Sequence, residues 1–254
     1  MINGSTDASA AIARALLPSL ATPATIIESP VADKAHAINE VFYLPGVGAA
    51  LTVFVDGYAT INEGAMRAFE AALRDHPAAL GATGLAGNGR SEIKTRDATL
   101  RGGVIHGQLY ALTSAFLAEL TAKQYRLPAK LYRGDGLIGS MLCTALDPVN
   151  NTWDNARLIG VEGAVFLIDP LSLFRPRDLR RQFRRKVRQM RGRLENAAIK
   201  QIINRDGYGA LPADADDMIA AYLARHALPA VGLADRPFLH LALRHHRKTR
   251  AAAA

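Results

Sequence analysis

The stretch ALTVFVDGY, residues 50–58, decides how the rest of this chain is read. Leu51 to Val55 form a continuous run of aliphatic, β-branched and aromatic side chains, the pattern of a strand buried on both faces. The run ends on Asp56. In an open α/β sheet, ligands bind beyond the carboxyl ends of the strands, so a polar cluster at such an end is where chemistry is expected. A carboxylate held there by an apolar strand can reach a metal ion or a ribose hydroxyl. An Asp closing a strand also serves as an ordinary turn residue.

Outward from this run the pattern alternates between helix and strand. Upstream, DASAAIARALL carries apolar residues at helical spacing, ATIIES reads as a short strand, and ADKAHAINEVFYL reads as a helix that stops at Pro45. Downstream, Asn62 is placed to cap the helix EGAMRAFEAALRDH, which Pro77 follows. Gly84 to Gly103 reads as a Gly- and charge-rich surface loop. Strand-like VIHGQLYALT leads into the helix SAFLAELTAK, then YRGDGLIGSMLCTAL, the polar loop DPVNNTWDN, and two short strands, RLIGV and AVFLI. From Pro176 only helices remain: a basic one to about Asn204, then ADADDMIAAYLARHA and RPFLHLALRHHRK. Strands alternating with helices predict an α/β fold whose mostly parallel sheet is flanked by helices, followed by an α-helical C-terminal part. The division falls between residues 1–174 and 175–254.

Composition bounds the function. With 254 residues, 49% of them apolar and 21% charged, the chain is an ordinary globular one and not disordered. One cysteine, Cys143, excludes an internal disulfide framework and a Cys-cluster zinc site, and its apolar surroundings assign it to the core. No run reaches the roughly 18 apolar residues of a membrane span. The start lacks the pattern of a signal peptide, so a cytoplasmic location is expected. The histidines share no metal-ligand spacing. Trp153, the one tryptophan, sits in a polar loop, as an anchor or as a platform for a sugar.

The net charge of +8 is local: Arg175 to Arg193 hold ten basic residues against one Asp, so this segment carries +9 and the remainder −1. Such a stripe is a solvated helix face or a seat for phosphates, for nucleic acid or for the anionic cytoplasmic face of a membrane. Phe183 is its one aromatic and no reader motif accompanies it, which disfavours nucleic acid.

Several short motifs follow one another in order: NGSTD before a helix, DKAHAIN, VFVDGY, HGQLYALT, RGDGL and RRQFRRKVRQMRG. In that order, from about Asn3 to Gly192, the chain resembles a family 2 glycosyltransferase of the GT-A fold. NGSTD is similar to the family's D-G-S-T-D turn, DKAHAIN to its G-K-x-x-A-L-N helix, and VFVDGY stands at its D-x-D segment. RGDGL stands at its E-D motif, and the basic run resembles its Q-x-x-R-W region. The resemblance implies transfer of a sugar, with inversion, from a nucleotide-diphosphate donor to an acceptor hydroxyl, the acceptor being a glycan or a lipid-linked sugar of a cell-envelope polysaccharide. It implies Asp135 as catalytic base and Asp56 at the donor diphosphate, as a ligand to a divalent Mn or Mg ion where one is used. Asn3, Lys34 and Asn39 then lie near the nucleotide. Gln182 and Arg185 hold diphosphate or acceptor, and His106 and Gly107 lie on the acceptor side. Without the resemblance, Asp135 reads as a helix cap, Lys34 and Asn39 as exposed helix residues and Asn3 as a turn residue.

The chain departs from the family at three places. Tyr58 replaces the second Asp of D-x-D, which puts metal dependence in question. Gly134 replaces the Glu of E-D and Lys186 the Trp of Q-x-x-R-W, as in non-processive members. The family's first strand has no counterpart, so a natural chain longer by about 40 residues is expected. A rival reading follows from these departures: a non-catalytic, degenerate transferase fold that binds anionic membrane or nucleic acid through the Arg-rich helix.

Overall fold

A computed structural model of the chain describes all residues except 45–48, 90–91, 170–174 and 252–254. The first elements are β1 (Ile2–Asn3), α1 (Ser9–Leu16), β2 (Glu28–Ser29) and α2 (Lys34–Phe42), with β1 and β2 paired in parallel. Helix α2 begins where the Asp33 carboxylate accepts the Ala35 N–H at 2.9 Å, and it buries Ala35, Ile38 and Phe42 along one face. Next come β3 (Leu51–Val55), β4 (Ala59–Ile61), α3 (Ala65–Asp75), β5 (Gly81–Ala86), α4 (Glu92–Leu100), β6 (Leu109–Thr113), α5 (Ser114–Ala122) and α6 (Gly134–Cys143). The chain closes with β7 (Leu158–Ile168), α7 (Pro176–Asp206), α8 (Ala215–Leu223) and α9 (Arg236–Ala251).

Five strands form one sheet in the order β3-β6-β5-β7-β4, and only β5 and β7 are parallel neighbours. The sheet is therefore mixed, which corrects the expectation of a mostly parallel one. The cause lies in the connections. The segment between β5 and β6 leaves and re-enters the sheet at the same end, so β6 returns antiparallel to β5, while α4 packs against β5 and β7 and Gly103 N–H donates to Leu158 O at 2.8 Å. The Asp56–Tyr58 link between β3 and β4 likewise stays at that end. What reads as a loop from Gly84 to Gly103 thus holds the end of β5 and all of α4. RLIGV and AVFLI merge into the single strand β7. Asn62 does not cap α3: its amide donates to Gly163 O at 3.0 Å and accepts from Val165 N at 2.7 Å, tying the link to β7.

The alternation along β6 separates two cores. Tyr110 and Leu112 face a cluster with α2, α5, α6, the C-terminal half of α7 and α8. Leu109 and Ala111 face a smaller one under α3, around the fully buried Phe69. Burial of each such large side chain contributes about 1.5–3 kcal/mol. A third cluster joins Met190 and Leu194 of α7 to Ile219 of α8 and Leu239 and Leu243 of α9. Cys143 is fully buried, which pushes its thiol up to about 12, as a core residue and not a nucleophile. No helix among the described residues is long and apolar enough to cross a membrane.

Candidate active site

The sheet end that collects the β3–β4 link and the 87–108 segment also receives the start of α6, and polar groups from distant parts of the chain meet there. Asp56 leaves β3 with its N–H donating to Gln108 O at 3.1 Å, so the backbone just before β6 sets its position. Its carboxylate, 12% exposed, forms an ion pair with the Lys34 ammonium from the first turn of α2. Lys34 Nζ also lies 3.4 Å from Gly107 O. Lys34, Asp56 and Gly107 thus share one spot.

Asp135 sits in the first turn of α6, where the helix dipole favours negative charge, and its Oδ1 accepts the Gly136 N–H at 2.8 Å. It is not the cap; that position is Arg133. Its other face presses on Gly107, where an added Cβ would stand 2.9 Å from Asp135 Oδ2. Only a glycine allows the β6 approach and the carboxylate to come this close.

His106 stands beside them. Its backbone N–H donates to Thr83 Oγ1 at 2.9 Å, and its Nε2 lies 2.8 Å from Thr99 Oγ1. Because the Thr99 hydroxyl donates to Thr95 O, Nε2 carries the proton and Nδ1 the lone pair. Burial holds this imidazole below its usual range, with the Asp135 charge pulling the other way. Tyr110, on β6, stacks on Phe54 with ring centroids 4.7 Å apart. Its buried hydroxyl has no hydrogen-bond partner among the described residues. Burial raises its phenol far above the usual range, and the charges of Asp135 and Asp56 raise it further. Tyr110 thus lies within the field of both carboxylates. Sequence reading missed it, because an alternating strand position with Tyr is ordinary core.

Tyr58 turns back over Asp56. Gln108 Nε2 donates to its hydroxyl at 3.0 Å. Burial raises its phenol, Gln108 and the Arg185 charge lower it, and the Asp56 carboxylate raises it. Arg185, exposed on α7, acts on Tyr58 only through its charge, and Gln182 is half-buried on α7 with no link to the site among these interactions. Two expected nucleotide contacts lie elsewhere. Asn3 is in β1, paired with Ser29 of β2. Asn39 is buried and spends both ends of its amide on Leu127, donating to its O and accepting from its N–H at 2.9 Å each. Trp153 is half-exposed with its indole N–H on Asn155 Oδ1 at 2.8 Å, which anchors its loop.

The donor set does not make a metal centre by itself. Asp56 is already matched by Lys34, Tyr58 supplies no carboxylate, and no group of three His, Cys, Asp or Glu side chains among the described residues is arranged for an ion.

Comparison with protein-family models finds no match, and none is found among curated proteins. Among solved structures the chain is similar to a mannosyltransferase, PcManGT from Pyrobaculum calidifontis, in complex with GDP-Man and Mn2+. Identity is 20% and the TM-score 0.58, over 98% of this chain and 64% of that protein's length. The likeness is one of fold, a glycosyltransferase-like one.

Proposed function

We propose that this protein is an inverting glycosyltransferase that moves a sugar from a nucleotide-diphosphate donor to an acceptor hydroxyl. The observation that carries this reading is that the Lys34–Asp56 pair, at the end of β3, and Asp135, from the start of α6, meet at Gly107, Lys34 on its carbonyl and Asp135 against its Cα. In a single displacement the acceptor oxygen bonds to the anomeric carbon as the bond to the diphosphate breaks. Asp135 takes the acceptor proton, and the leaving nucleoside diphosphate keeps the electron pair. Lys34, held by Asp56 and Gly107 O, and Arg185 balance the growing charge on the diphosphate. His106 and Gly107 border the acceptor side, and Asn39 supports α2 from behind.

The acceptor in this reading is a glycan or lipid-linked sugar of the cell envelope, reached from the cytoplasm. The exposed arginines of α7, among them Arg177, Arg180, Arg181 and Arg184, flank the exposed Leu179 and Phe183, a combination suited to an anionic bilayer surface.

The test is Asp135→Asn. Turnover of the nucleotide sugar should drop about 100- to 10,000-fold, the range for losing a general base, while nucleotide affinity stays within about 3-fold. Undiminished turnover would remove Asp135 from the mechanism. A folded wild-type chain that binds anionic vesicles or nucleic acid but turns over no donor would support the non-catalytic rival.

A further inference from the structure

Helix α7 reaches the site twice, and its second contact is invisible in the sequence. Glu195 is completely buried. Its carboxylate accepts the Tyr132 N–H on both oxygens and the Arg133 N–H on one, each at 3.1 Å. Those are the two residues that lead into Gly134 and Asp135. Arg191 Nε donates to Glu195 at 2.9 Å, and its other nitrogens hold Asp216 and Lys130 O. One turn earlier, Gly192 leaves room for the same dipeptide: a Cβ there would stand 2.8 Å from Arg133 Cγ and Nε and 3.2 Å from Tyr132 Cδ1. Arg188, on the same face, lies over the Tyr132 ring at 5.6 Å.

We infer that Glu195 is a positioning residue for Asp135: with Gly192 it clamps the Tyr132–Arg133 backbone and so aims the first turn of α6 at Gly107. This rests on the reading of Asp135 as the base. Burial raises the Glu195 carboxyl above its usual range despite the two N–H donors and Arg191. The folded protein therefore holds the carboxylate at a cost that begins as pH rises past its unfolded value. The same helix carries Arg185 about 15 Å away, so α7 sets the base and a diphosphate-side cation in one piece.

The experiment compares wild type with Glu195→Gln and Glu195→Asp, by hydrogen–deuterium exchange over residues 128–136 and by turnover of the nucleotide sugar, with Asp135→Asn alongside. In Glu195→Gln the Tyr132 and Arg133 amides should exchange about 10-fold faster while the β6 amides are unchanged. Turnover number should fall about 10- to 100-fold with donor KM within about 3-fold, the signature of a misplaced base. Glu195→Asp should recover part of it. Unchanged exchange at Tyr132 and Arg133 overturns the clamp, whatever the activity. Faster exchange with full turnover, where Asp135→Asn is inactive, overturns the positioning role. Full turnover by Asp135→Asn overturns the base assignment itself, and with it this inference.

Discussion

Gly107 shows how little space separates backbone from chemistry in this protein. A methyl group at that position meets Asp135 Oδ2 at 2.9 Å, so Gly107→Ala must push the carboxylate aside or shift the approach to β6. We expect turnover to drop at least about 10-fold with the thermal midpoint little changed, checked by kinetics and calorimetry on one preparation. His106 gives the site a pH signature. Because burial holds its pKa below that of the unfolded chain, the unfolded state takes up the proton first as pH falls below about 6.5. Stability is therefore present at neutral pH and lost on acidification. Thermal unfolding followed from pH 7.5 to 5 should be flatter for His106→Gln than for wild type, and parallel curves would discount this term. Tyr58 marks the departure from a carboxylate pair. Tyr58→Asp should make nucleotide binding respond to Mn2+, whereas wild-type binding should be insensitive to a chelator, as titration with and without the ion would show.

At the scale of elements, α2 and α7 do most to build the site. Helix α2 brings Lys34 forward from its first turn and is fixed behind by Asn39, whose amide bridges to the backbone of buried Leu127. Asn39→Ala leaves that N–H and C=O unpaired, and a loss of about 2–4 kcal/mol in denaturant unfolding is expected. Helix α7 has two characters. Its last turns bury Ala198, Ile199 and Ile203 in the main core, whereas before Met190 it is almost entirely exposed. Replacing Arg180, Arg181 and Arg184 together should leave the melting temperature unchanged. The same change should weaken sedimentation with anionic vesicles on the order of 100-fold at low salt, about 5-fold per cation. Equal binding by the triple variant would take the arginine face out of the membrane reading.

For the whole molecule, what periodicity could reveal was the elements and what it could not was their pairing. LTVFV is a strand and the Arg-rich run a helix in both readings, because apolar continuity and charge are local properties. The mixed sheet depends on β6 inserting between β3 and β5, a long-range choice made by where the 87–108 segment re-enters, and no local pattern encodes it. Of the candidate residues, those that sit in ordered motifs, Lys34, Asp56, Gly107 and Asp135, lie together in the structure. Tyr110 and Glu195 were not legible, since their role comes from burial beside residues 25 to 60 or more positions away in the chain. Asn39 carried a motif position but serves packing.

The central claim is that the Asp56 end of this sheet holds a nucleotide. Calorimetric titration of the folded chain with UDP, GDP, dTDP and CMP, for wild type and Asp56→Asn, tests it most directly. Saturable binding of one nucleotide that is lost in Asp56→Asn is the predicted result; a folded wild-type protein that binds none of the four would contradict the account.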